Sequence, residues 1–216
     1  VIFHYHQSQD YPPEFVSMVE PNSSEAEVEA LVQEFGAHPA RLEDVLILTS
    51  ADKLAQREAE FPSVQVEPIY FSSNELSFKD WRFLMGVGGT QMYMKQINMI
   101  MRQLRGRMTL DTLRHEIEAS ELSDGQKTIA RIRLNFAAQF IDDNQQLADV
   151  LHPGRLVIVD LRDEFIDKEE ALGLFVVLLN IFANAGQDAD HPFNKLIVFD
   201  EAHKYMDNPE LTGHIV

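Results

Sequence analysis

Leu196-Ile197-Val198-Phe199-Asp200-Glu201 decides how this chain is read. Four apolar residues, three of them β-branched or aromatic, run straight into two carboxylates. Such a run fits a strand buried on both faces in a parallel sheet. In open parallel sheets ligands bind beyond the carboxyl ends of the strands, so Asp200 and Glu201 fall where chemistry is expected. An Asp there can hold Mg²⁺ through water, because Mg²⁺ is hard and keeps several of its waters. A Glu one residue later projects differently and can orient or deprotonate an attacking water. The competing reading is structural: both carboxylates simply cap the next helix.

A second strand of the same kind lies upstream. Leu156-Val157-Ile158-Val159-Asp160 is again apolar and ends on a carboxylate. Between the two runs, Glu169 to Ala185 is helical in spacing and apolar nearly all round, so it belongs against a sheet. Strand, helix and strand together predict a right-handed βαβ unit. Asp160 then reaches the same sheet edge, either near a Mg²⁺ shell or a neighbouring subunit, or as a turn cap. Arg162 is a candidate phosphate or interface residue, or a salt-bridge partner of Asp163 or Glu164.

Further upstream, Val1 to Tyr5 reads as a strand, and Tyr11-Pro12-Pro13 ends any regular structure. Ser23 to Phe35 reads as a helix with acidic first turns and Gly36 as its stop. Asp44 to Thr49 predicts a strand, Ala51 to Glu60 a helix, and Val64 to Phe71 a strand. Residues 23–71 thus read as a small αβ module beside the main sheet. From 75 to 149 the pattern turns helical: Leu76 to Leu84, Thr90 to Leu104, Leu110 to Ala119 and Asp124 to Phe140. The expected organisation is an α/β parallel-sheet core over 1–74 and 150–216, with a mainly helical insertion at 75–149.

Composition bounds the function. The 216 residues carry 18 basic and 35 acidic side chains, a formal charge of −17. That sign argues against a broad nucleic-acid-binding face on this chain, since phosphate contact needs Lys or Arg. Against that background Lys95, Arg102, Arg105, Arg107 and Arg114 form a local basic excess. Arg102 and Arg105 are helix neighbours and candidate DNA-phosphate contacts, or else a solvated face. The methionines around them, from Met85 to Met108, read as packing. His4 and His6 lie two apart on a strand and share a face, a spacing open to metal binding but more ordinary in a partly buried pair. Cysteine is absent, which removes disulfides and thiolate metal sites and fits a reducing compartment. No run approaches the roughly 18 apolar residues of a membrane span, and no signal peptide is visible, so a cytoplasmic protein without a membrane partner is expected. No G-x-x-x-x-G-K-[ST] occurs. Gly86-Val87-Gly88-Gly89-Thr90 is glycine-rich but lacks the lysine that a phosphate cradle needs.

His152 to Arg162, the apolar helix, and Lys195-Leu-Ile-Val-Phe-Asp-Glu-Ala-His-Lys-Tyr205, taken in order, resemble the C-terminal half of a HerA/FtsK-type ATPase core. Those proteins form the DNA-translocase branch of the P-loop NTPases. Val1 to Tyr11 resembles the strand after the phosphate-loop helix, with His4 where an Asp is usual and Gln7-Ser-Gln-Asp-Tyr11 in place of an acidic turn. The resemblance implies a P-loop NTPase fold and a fragment whose phosphate loop lies upstream of Val1. It implies Asp200 as the Mg²⁺-associated Walker B residue, Glu201 as the catalytic carboxylate, and ATP with Mg²⁺ as the bound groups. It further implies a hexameric ring that moves double-stranded DNA, alongside a nuclease partner, in DNA repair or antiviral defence. A nucleotide switch or scaffold without translocation is the alternative. Asp200-Glu-Ala-His203 also matches the DEAH run of helicases, but the long helical insert and the lack of companion motifs weigh against that.

Overall fold

The computed structural model describes residues 1–86, 91–186 and 193–202. Gly88, Gly89 and Thr90 of the glycine-rich run, and His203-Lys204-Tyr205, lie outside them.

Five strands form one sheet: β1 (Ile2–His6), β2 (Val45–Thr49), β3 (Gln65–Pro68), β4 (Leu156–Arg162) and β5 (Val198–Phe199). Their order is β3-β2-β4-β1-β5, and every pairing is parallel. The strands hydrophobic on both faces, β4 and β2, hold the middle of the sheet. Alternation along each strand sorts the side chains into two layers. Phe3, Tyr5, Leu46, Leu48, Val157, Val159 and Leu161 face one side and join a large core with the helices. Val45, Ile47 and Ile158 face the other and pack under Val16, with Phe15, Phe61 and Val64 around them.

Two sequence expectations change here. Residues 23–71 were to form a module beside the main sheet. Instead β2 and β3 extend that sheet, because all five residues of β2 are buried and β2 pairs with β4 from Val45↔Leu156 to Thr49↔Asp160. The βαβ unit is also wider than expected. β5 pairs with β1, not with β4, so β1 is sandwiched between them. β5 is short and half-buried, and Leu196 just before it is 78% exposed. The apolar run at 196–199 therefore ends on a sheet edge rather than in its centre.

The helices follow their caps. α1 (Glu25–Phe35) stops at Gly36, whose φ of 65° is the left-handed conformation a helix end favours. After α2 (Leu54–Glu60) and β3, four helices intervene before β4: α3 (Phe78–Leu84), α4 (Gln91–Gln103), α5 (Leu110–Ala119) and α6 (Asp124–Ala137). Ser77, Thr109 and Ser123 each close a capping box at the start of α3, α5 and α6. These helices share a continuous apolar core with the sheet and with α7 (Lys168–Asn184). Phe3 joins the layers: its ring lies 4.9 Å from Phe175 and 6.2 Å from Phe182 of α7, and 5.1 Å from Phe199 of β5. Gly173 of α7 packs toward α3, where a Cβ would meet the Phe83 carbonyl oxygen at 3.4 Å. Among the described residues no helix is long and apolar enough to cross a membrane.

Candidate functional site

Parallel register places polar residues of four strands in one row at the carboxyl edge. Thr49 of β2 pairs with Asp160 of β4, and Asp160 with His4 of β1. The Asp200 amide donates to the Phe3 carbonyl at 2.9 Å, which sets Asp200 beside His4. The row therefore reads Thr49, Asp160, His4, Asp200 across the sheet, and Glu201 follows directly.

Asp200 and His4 are in direct contact. His4 Nδ1 lies 2.7 Å from Asp200 Oδ2, and His4 Nε2 lies 2.9 Å from the Tyr11 carbonyl oxygen. A carbonyl only accepts, so Nε2 carries a proton. The Nδ1 contact is then a hydrogen bond when either the ring holds a second proton or the carboxyl group does. His4 is buried, while the Asp200 side chain keeps 26% exposure. Glu201 is exposed and has φ of 51°, the one positive-φ residue other than glycine among the described residues. Left-handed backbone at a bulky residue is uncommon and clusters at functional sites.

Asp160 is used differently. It is wholly buried, and its carboxylate takes Arg162 Nε at 3.0 Å on each oxygen, with Nη2 at 2.7 Å from Oδ2. It also accepts the Arg162 amide at 3.1 Å, a turn-like contact. Arg57 of α2 approaches the same carboxylate, Nε to Oδ2 at 2.9 Å, although its N–H is not aimed along that line. Glu60 closes the cluster on Arg162 at 2.9 and 2.8 Å, and on Arg57 at 3.3 Å. Gln9 adds its own carbonyl and side chain to the two guanidiniums. Burial pulls the Arg162 pKa down, but the hydrogen bonds it donates to Asp160 and Glu60 outweigh that and leave it raised. Two cations and two anions compensate one another here, as buried charges must.

The sequence singled out Asp160, Asp200 and Glu201, and the fold brings the first two into one row with the third beside it. Arg162 pairs with Asp160 and Glu60 instead of Asp163 or Glu164. Arg57, Glu60 and Thr49 were missed. Arg57 and Glu60 stand three apart on a short helix, and nothing local ties them to β4, while the buried Thr49 hydroxyl lacks a partner among the described residues. His4 and His6 do not converge on a metal. His6 Nδ1 accepts the Ser8 amide at 2.9 Å, and its ring lies 4.2 Å from that of Tyr11. Among the described residues no group of three or more His, Cys, Asp or Glu side chains could hold a metal ion. Mg²⁺ carried mainly by water and phosphate oxygens would need only one protein carboxylate. Arg102 and Arg105 lie elsewhere. They border an open cavity that shares no lining residue with the polar row.

The fold and the row define an α/β protein with an all-parallel sheet and an ionisable cluster at its carboxyl edge. Comparison with protein-family models, curated proteins and solved structures finds no match.

Proposed function

We propose that this chain supplies the carboxylate half of an ATP-hydrolysing site of the HerA type. The observation that carries the reading is the Asp200-Glu201 step beyond β5, with Glu201 held in left-handed backbone beside the polar row. In this reading Asp200 holds Mg²⁺ through water, and Glu201 orients the water that attacks the terminal phosphate. Phosphoryl transfer asks mainly for positioning and charge stabilisation, to which two adjacent carboxylates can contribute. The nucleotide phosphates must be gripped by a loop outside these 216 residues, since no cradle of the required pattern occurs in them. A hexameric ring, movement along double-stranded DNA and a nuclease partner complete the reading, and the family resemblance alone supports them.

One observation favours the switch or scaffold alternative. Asp200 is already paired with His4, and a carboxylate so engaged is less available to a cation. Two substitutions separate the readings in the protein that joins this chain to a phosphate loop. Glu201→Gln should leave ATP binding intact and lower turnover by about 10²–10⁴-fold, the usual worth of a positioned general base. Near-normal turnover in that variant would reject Glu201 as catalytic. His4→Ala frees the Asp200 carboxylate, so a true motor should keep or gain turnover; a protein that binds ATP yet hydrolyses none, with native His4 and after its removal, is a switch.

A further inference from the structure

The open cavity at the far end of α4 has about 750 Å³, within the range of small-molecule sites. Its polar side is unusual for so acidic a chain. Arg102, Arg105 and Arg107 all border it and all are exposed. Arg57, Arg131, Arg133, Arg155 and Arg162 have carboxylate partners, whereas these three have none among the described residues. Three unneutralised guanidiniums around one concavity make a local positive field against a formal charge of −17.

Two buried groups add a second, independent observation. Trp81 is 0% exposed and Ser73 is 5% exposed, and both line the cavity. The Trp81 indole N–H and the Ser73 hydroxyl have no hydrogen-bond partner among the described residues. Buried donors left alone cost stability, so an acceptor that reaches them from the cavity is favoured. The rest of the wall is apolar at Leu76, Phe78, Met101 and Met108 and polar at Asn74 and Thr109.

We propose that this cavity binds a small organic phosphate, with the phosphate held by Arg102, Arg105 and Arg107 and an apolar or aromatic body against Trp81 and Met101. Arginine matches phosphate oxygens with paired donors. A concave site with a greasy floor suits a small amphipathic anion better than the regular phosphate spacing of a duplex. The site stands apart from the polar row and does not depend on the ATPase reading.

Trp81 is the single tryptophan of the chain, so its emission reports on the cavity directly. Phenyl phosphate, inorganic phosphate and a short DNA duplex are titrated separately into the 216-residue chain at low salt, with calorimetry in parallel. Phenyl phosphate should give a saturable emission change, bind at least about tenfold more tightly than inorganic phosphate, and weaken with added salt. Arg102→Ala and Arg105→Ala, both at exposed positions, should each weaken it about tenfold, as lost charge-assisted hydrogen bonds predict. Ser73→Ala should weaken it less while leaving the fold intact by circular dichroism. The proposal is overturned by the absence of both signal and heat up to about 10 mM phenyl phosphate, where a millimolar Kd is visible. It is overturned equally by arginine variants that bind unchanged, by inorganic phosphate binding as tightly as the phenyl ester, or by a response to the duplex alone.

Discussion

Arg162 shows how a single residue's role depends on what burial brings to it. Its guanidinium is wholly buried and meets Asp160 two positions back on the same strand face and Glu60 from α2. Removing one member of such a cluster leaves charge buried without a counter-ion. Asp160→Leu should therefore destabilise the protein by about 3–5 kcal/mol, read from the urea midpoint. A loss below about 1 kcal/mol would mean that water reaches the cluster and screens it. The Asp160–Arg162 relation was open to view in the sequence, because residues two apart on a strand share a face. The Glu60 contact was not, since nothing local links positions that only the sheet brings together. Glu201 yields a second prediction at this scale. A left-handed bulky residue costs about 1–2 kcal/mol, and the looser unfolded chain of a glycine variant gives part of that back. Glu201→Gly should stabilise the chain by about 0.5–1 kcal/mol while removing any hydrolytic activity that depends on the carboxylate. A less stable variant would show that native contacts of Glu201 outweigh its backbone strain.

Elements were legible where pattern and cap agreed. α5 occupies the residues its spacing predicts, and Thr109 closes its capping box. α7 was legible from its all-round apolar face, and ten of its residues are buried. β5 was misjudged because an apolar run does not tell a central strand from an edge one; neighbours decide that, and among the described residues β5 has only β1. At α7 two predictions follow from packing. Gly173 sits against the Phe83 carbonyl, so the γ-methyls of Gly173→Val would push α7 away from α3 and cost about 1–3 kcal/mol. Gly173→Ala should be much milder, because its Cβ meets ordinary contact distance. At the start of α7, Glu170 accepts the Asp167 amide in the capping box, and its carboxyl pKa is raised, chiefly by burial. A raised carboxyl pKa means that the folded state holds its proton more tightly than the unfolded state. Its contribution is thus most favourable below the ordinary glutamate value and is lost as pH rises through the raised one. Glu170→Gln keeps the cap acceptor and removes the titration, so the variant's urea midpoint should fall less between pH 4 and pH 7, a window set from the ordinary glutamate value upward. Parallel pH profiles for the two proteins would show that burial at Glu170 does not differ in effect from exposure.

At the scale of the molecule, stability should grade across the sheet from its centre to its rims. β4 is paired on both sides, by β2 and β1, and six of its seven residues are buried. α1 buries none of its residues, and Leu31, Val32 and Phe35 stand exposed on it. β5 contributes two residues to one pairing. Amide hydrogens open with free energies that run from near zero at such rims to the full unfolding energy at the centre. Hydrogen exchange should therefore find β4 protected to the global limit, with β5 and α1 exchanging faster by orders of magnitude. β5 exchanging as slowly as β4 would mean that its outer edge is already covered. That edge also tests the ATPase reading without any assay of turnover. Open parallel edges are usually paired or shielded in the finished protein. In a longer protein that includes the phosphate loop and its strand, the loop must lie within reach of Asp200. A strand added beside β5 would bring it there and slow the exchange of Val198 and Phe199 towards the rate of β4. Unchanged exchange at those two amides would put the added strand somewhere else, and with it the phosphates that Asp200 and Glu201 are proposed to serve.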